Sequence, residues 1–127
     1  MRKTIKFTLF TFSFLWMMSC LPQQEKVAKR IDKATVQAEV IGKDVQLVDV
    51  RTPMEYHEGH IDDAVNFDIS NAETFAFQLE GLDKDKPVYV YCKKGARSNK
   101  AVEILKTKGF TQIYDYSGGY DDWKKED

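Results

Sequence analysis

Three apolar runs rich in β-branched and aromatic residues punctuate the chain: residues 45–50 (VQLVDV), 87–92 (PVYVYC) and 111–116 (TQIYDY). They are nearly continuous rather than strictly alternating, the pattern of strands covered on both faces, as in a parallel sheet. Between and around them lie segments with helical spacing, residues 34–41, 53–58, 72–79 and 96–108. Pro53 occupies a favoured first helical position, and Gly109 ends the last segment after Ala101, Ile104 and Leu105 have lined up on one face. Strand and helix therefore alternate. That order predicts an α/β domain with a central parallel sheet and helices on both faces, whose ligands gather at the carboxyl ends of the strands.

The sequence has 127 residues, 43% of them hydrophobic and 31% charged, enough for one core and too few for two ordinary domains. Its net charge of -1 carries no basic footprint of the kind phosphate neutralisation needs, so nucleic acid is not an expected partner. Two cysteines, Cys20 and Cys92, are too few and too far apart for a disulfide framework. With only two histidines beside them they offer no metal site, and no cofactor is expected.

The first residues read as an address. Arg2, Lys3 and Lys6 precede an uncharged stretch, residues 7–18, that contains five large aromatics and is too short to span a membrane. This is the form of a secretory signal, assigned to residues 1–19. Ser19 followed by Cys20 resembles the lipobox of bacterial lipoproteins, in which the cysteine becomes the lipidated first residue; Met17 and Met18 depart from the usual Leu and small residue there. The resemblance implies an exported protein of the periplasm or cell envelope, held to a membrane through Cys20. Uncleaved anchoring and ordinary cleavage are the alternatives. Residues 20–29 then form the lipidation site and a polar tether, and residues 30–127 the folded domain.

The chemistry concentrates where the second strand ends. Cys92 is followed by Lys93, Lys94, Gly95, Ala96, Arg97 and Ser98, which lead directly into a helix. A strand–loop–helix turn points successive backbone N–H groups into one concavity, and the helix dipole adds partial positive charge. With three cationic side chains close by, the expected state of Cys92 near neutral pH is the thiolate, its reactive form. Gly95 supplies the backbone freedom such a loop requires.

The segment CKKGARS, residues 92–98, resembles the active-site loop of the rhodanese family of sulfurtransferases. Residues 49–66 (DVRTPMEYHEGHIDDAVN) are similar to the family's first signature, roughly DVR-x-x-x-E-[YF]-x-x-GHI-x-x-A-x-N, with Asp62 and Asp63 in place of its usual Pro-Gly. Residues 118–123 (GGYDDW) resemble its C-terminal Gly-Gly-x-x-x-Trp signature. The resemblance implies a rhodanese-like fold and a Cys92 nucleophile that takes a sulfane sulfur from thiosulfate or a related small anionic donor. A persulfide forms on Cys92, and a thiol, cyanide or a protein is the acceptor. The amides of residues 93–98 would stabilise the persulfide, while Arg97, with Lys93 or Lys94, would hold the donor's oxygens. Arg97 stands five after Cys92; in the phosphatase and arsenate-reductase branches of the fold the loop is one residue longer, so sulfur transfer is favoured over those chemistries. A persulfide carrier or partner-binding module is the remaining alternative. Asp49, Arg51, Glu58 and His60 are candidates for pocket or support, with Arg51 expected to pair with an acid such as Glu58, and His60 expected to be a hydrogen-bonded structural residue.

Overall fold

The computed structural model describes residues 26–126, so the signal segment and Cys20 lie outside the described residues. Five parallel strands form one sheet in the order β1-β5-β4-β2-β3: β1 (Ala28–Arg30), β2 (Gln46–Asp49), β3 (Val65–Asn66), β4 (Val88–Tyr91) and β5 (Ile113–Tyr116). Parallel neighbours require crossovers, and these are supplied by α1 (Lys33–Glu39), α2 (Pro53–Glu58), α3 (Ala72–Leu79) and α4 (Ala96–Thr107); α5 (Gly119–Trp123) follows β5. From β2 the chain moves outward to β3, and from β4 it moves the opposite way to β5. The crevice at the carboxyl ends of β2 and β4 is thus the topological switch point of the sheet, where such folds place their ligands.

Strand periodicity builds two cores. On β4, Val88, Val90 and the following Cys92 face one side with Phe75 and Leu79 of α3 and Ala101, Val102 and Leu105 of α4. Tyr89 and Tyr91 face the other with Val36 of α1, Ile61 and Tyr116, against which Tyr56, Tyr120 and Trp123 pack. Helices on both faces are the direct consequence. Helix starts follow local chemistry: Asp32 and Asn71 accept from the amides of Thr35 and Thr74, and Thr52 and Glu55 close a capping box in front of which Pro53 supplies the first turn.

The polar run expected to be tether enters the sheet by residue 28. Ala28, Lys29 and Arg30 pair with Ile113, Tyr114 and Asp115 as the edge strand β1, so the folded body begins earlier than residue 30. Lysine and arginine on an edge strand hide it from a hydrophobicity scan, and the same charges blunt the edge against further pairing. The two-residue β3 is too short to leave a pattern at all.

The expected Arg51–Glu58 pair is corrected. Arg51 forks onto Asp49 instead, with Nη2 to Oδ2 at 2.6 Å and Nε to Oδ1 at 3.0 Å, and its Nη2 also donates to the Gly59 carbonyl at 2.7 Å. Two residues on from Asp49, Arg51 is close enough to bond the same carboxylate with both its backbone N–H and its side chain. Both groups are buried, and the guanidinium lies 4.4 Å from the Tyr120 ring centroid, while Glu58 stays exposed on α2. The pair joins the end of β2, the turn at Gly59 and α5. Removing one partner leaves a buried, uncompensated charge. Asp49→Ala is therefore expected to lower unfolding free energy by about 3–5 kcal/mol in urea denaturation, whereas Glu58→Ala should change it by less than about 0.5 kcal/mol.

Candidate active site

Cys92 directly follows β4 and is only 1% exposed, set against the amino end of α4. Gly95 caps that helix with φ +102, and its N–H donates to the Cys92 Sγ at 3.1 Å. The Ser98 Oγ lies 3.6 Å from the same sulfur and itself donates to the Gly95 carbonyl at 3.1 Å. The sulfur therefore sits on the positive end of a twelve-residue helix, with one amide already directed at it.

The loop's shape is imposed from outside. Tyr120 and Asp121, at the start of α5, donate their N–H groups to the carbonyls of Cys92 at 2.8 Å and Lys93 at 3.1 Å. Carbonyl oxygens that would repel an anionic sulfur are engaged elsewhere. Such close docking needs Gly119, whose φ is +68 and where a Cβ would stand 2.5 Å from both carbonyl oxygens. Gly95 meets the same condition from the other side, since a Cβ there would stand 2.7 Å from the Ser117 carbonyl.

The cations are distributed differently from the sequence expectation. Arg97, expected to hold a donor's oxygens, forks onto Glu55 of α2, Nη1 to Oε1 at 2.6 Å and Nη2 to Oε2 at 3.0 Å. Hydrogen bonds from Arg97 and from Thr52 hold the Glu55 carboxyl down at about 2, and the same carboxylate pushes the Arg97 guanidinium further up. Lys94 lies 3.8 Å from Asp121, while Lys93 is exposed and has no ion-pair partner among the described residues. Beside the loop a cleft of about 290 Å³ is lined by Arg51, Glu55, Glu58, Lys93, Tyr120 and Lys124, among others. Asp49 is wholly buried and supports Arg51. His60 is structural: its Nδ1 is 3.0 Å from the Tyr56 carbonyl and its ring stacks on Tyr56 at 3.9 Å. Ala96 is exposed on the first turn of α4, next to Arg97.

Glu55 is the residue that sequence reasoning left without a role. Thr52 three before it carried a signal, the capping-box spacing that fixes a carboxylate at the third helical position. Its second partner, 42 residues away on α4, depends on tertiary structure alone.

The close docking at Gly119 separates two glycines with similar φ. Gly119→Ala combines backbone strain with a clash against two fixed carbonyls and should cost about 2–4 kcal/mol in thermal or urea unfolding. Gly42, at φ +70 with no atom within 4 Å of a Cβ, should lose only about 1 kcal/mol on the same change.

Comparison with known proteins agrees with this geometry. The family model for the rhodanese-like domain matches residues 24–126. The uncharacterized protein YqhL of Bacillus subtilis is 31% identical over 123 residues, covering 97% of this chain and 94% of that one. The thiosulfate sulfurtransferase GlpE of Coxiella burnetii is 34% identical over 82 residues, covering 65% of this chain and 74% of that one. Among solved structures, a rhodanese-like domain protein from Staphylococcus aureus superposes with a TM-score of 0.67 at 30% identity, covering 77% of this chain and 93% of that one. With the family model spanning the sheet, the Cys92 loop and α5 together, the chain belongs to the rhodanese-like domain family.

Proposed function

We propose that this protein is a sulfurtransferase that moves a sulfane sulfur from thiosulfate or a related donor to a thiophilic acceptor through a persulfide on Cys92. The observation that carries this reading is the amide of Gly95 donating to the Cys92 Sγ at the amino end of α4. In the first step the thiolate attacks the outer sulfur of thiosulfate; the Sγ–S bond forms as the S–S bond breaks, and sulfite leaves with the bonding pair. In the second, a thiol, cyanide or protein acceptor attacks the outer sulfur of the persulfide and returns the Cys92 thiolate. The negative charge is conserved through each step, so no general base is needed at the thiolate. The amides of residues 93–98 are the groups assigned to the anionic persulfide, as preorganised donors act on developing charge. Lys93, at the mouth of the cleft and without an ion-pair partner among the described residues, is the cation assigned to drawing in an anionic donor. The six-residue span from Cys92 to Arg97 supports sulfur over phosphate or arsenate as the group handled.

Intact-mass spectrometry before and after treatment with thiosulfate or polysulfide tests this reading. One sulfur mass gained on Cys92 and removed by cyanide is the expected result, and Cys92→Ser should gain none while keeping its circular dichroism. A folded protein with a free thiol that gains no sulfur from either donor would refute sulfur transfer.

We further propose that residues 1–19 direct export and that Cys20 is lipidated, tethering the domain to a membrane of the cell envelope. Arg2, Lys3 and Lys6 before the apolar stretch, with Ser19-Cys20 after it, support this. In bacteria fed a labelled fatty acid, the full chain should take up label and fractionate with membranes, and Cys20→Ala should do neither. Label that survives the substitution would exclude Cys20 as the anchor.

A further inference from the structure

We propose that Asp115 is a positioning residue for Cys92: held as a neutral acid behind the loop, it donates to the Ser98 hydroxyl and so turns the Ser98 proton onto the Cys92 thiolate. This rests on Cys92 as the nucleophile of the sulfurtransferase reading and names a group, outside the loop, that steadies its anionic form.

Asp115 lies on β5 beside Val90 of β4 and is only 4% exposed. Its side chain borders a cleft of about 250 Å³ between β1 and α4, shared with Arg30, Asn99, Val102 and Glu103. Oδ2 accepts from the Ser117 hydroxyl at 3.0 Å, whereas Oδ1 is buried without a hydrogen-bond partner among the described residues. A sealed carboxylate oxygen in that position is costly, and a proton placed there makes it a donor instead of an acceptor lacking one. Burial pushes the Asp115 carboxyl up, against the pull of the Ser98 and Ser117 hydroxyls and the attraction of Arg30. Arg30 and Lys29 on β1 are exposed, so water screens them, and Glu103 of α4 brings a negative charge to the same cleft.

Ser98 connects this acid to the sulfur. It is fully buried, faces the Asp115 carboxyl and stands 3.6 Å from the Cys92 Sγ. Its hydroxyl has one proton to give and two lone pairs. With Cys92 as a thiol, the S–H donates to the Ser98 Oγ and the Ser98 proton goes to the Gly95 carbonyl at 3.1 Å. Once the thiol has lost its proton to water, the sulfur only accepts, and the Ser98 proton is needed there. The Gly95 carbonyl can release it, because the Asn99 N–H also donates to that oxygen at 2.9 Å. Asp115 decides the rest. As a carboxylate it would compete for the Ser98 proton and add a second buried negative charge behind the thiolate; as an acid it fills a Ser98 lone pair and leaves the proton to the sulfur.

The test is the pH dependence of Cys92 alkylation by iodoacetamide, a neutral probe, in the full chain, read at the Cys92 peptide by mass spectrometry. No sulfur donor is involved, so sulfur transfer and this proposal can fail separately. Asp115→Leu, close in size and without a donor, should slow alkylation below the thiol's midpoint about fivefold, the effect of losing one hydrogen bond. Asp115→Asn, which keeps a donor and cannot ionise, should restore the wild-type profile. In a Ser98→Ala background, itself slowed, Asp115→Leu should add nothing. No slowing in Asp115→Leu, or equal slowing with and without Ser98, would overturn the proposal, as would faster alkylation in Asp115→Asn, the mark of a charge removed. The carbon-13 shift of the Asp115 carboxyl, assigned by its loss in Asp115→Asn, gives a second reading in the unaltered protein. A neutral acid at the pH where Cys92 ionises is the expected result, and a carboxylate there would overturn the proposal even if the leucine variant does not fold.

Discussion

Two backbone hydrogen bonds govern the Cys92 end of the sheet: the N–H groups of Tyr120 and Asp121 donate to the carbonyls of Cys92 and Lys93 at 2.8 Å and 3.1 Å. A loop that must turn its amides toward a sulfur has to send its carbonyls somewhere, and buried carbonyls without partners are costly. Helix α5 supplies those partners. The supply works only because position 119 has no side chain, so a glycine beyond the last strand determines the geometry of a nucleophile 27 residues earlier in the chain. The helix in turn is held from below, since Tyr120 packs over the guanidinium of Arg51 and the Tyr116 hydroxyl donates to Asp122 at 2.6 Å.

The two arginine–carboxylate pairs near the site illustrate how burial separates support from chemistry. Asp49 and Arg51 are almost completely sealed, and their bonds brace the ends of β2 and α5. Glu55 and Arg97 remain about 27% and 34% exposed and lie at the mouth of the loop, where their charges are felt by whatever approaches Cys92. A pair with that exposure contributes little to stability, because water and salt screen it.

Much of this was legible in the sequence, and what was not has a physical cause. The helices expected over residues 53–58 and 72–79 appear as α2 (Pro53–Glu58) and α3 (Ala72–Leu79), because caps and periodicity are local signals. The three apolar runs became the three central strands, shortened at their ends. β1 was missed since Lys29 and Arg30 suit an exposed edge, and its pairing with β5 lies some eighty residues away in sequence. The position of Cys92 at a strand-to-helix turn was readable from Gly95 and the loop's cations. Which anion each cation would meet was not: Arg51 bonds Asp49 only two residues back, a local pairing that competes with Glu58 further along the chain, while Arg97 meets Glu55 42 residues away, a pairing that only the folded chain brings together.

Docking of α5 onto the carbonyls of Cys92 and Lys93 is proposed to shape this loop into a cradle for an anionic outer sulfur. The most direct measurement is a high-resolution crystal structure of the protein after sulfur loading. The expected result is extra density bonded to the Cys92 Sγ inside the loop, within about 3.5 Å of several amide nitrogens of residues 93–98, with the Tyr120 and Asp121 bonds to the loop carbonyls unchanged. An outer sulfur pointing into solvent, or a loop that loads only after parting from α5, would contradict it.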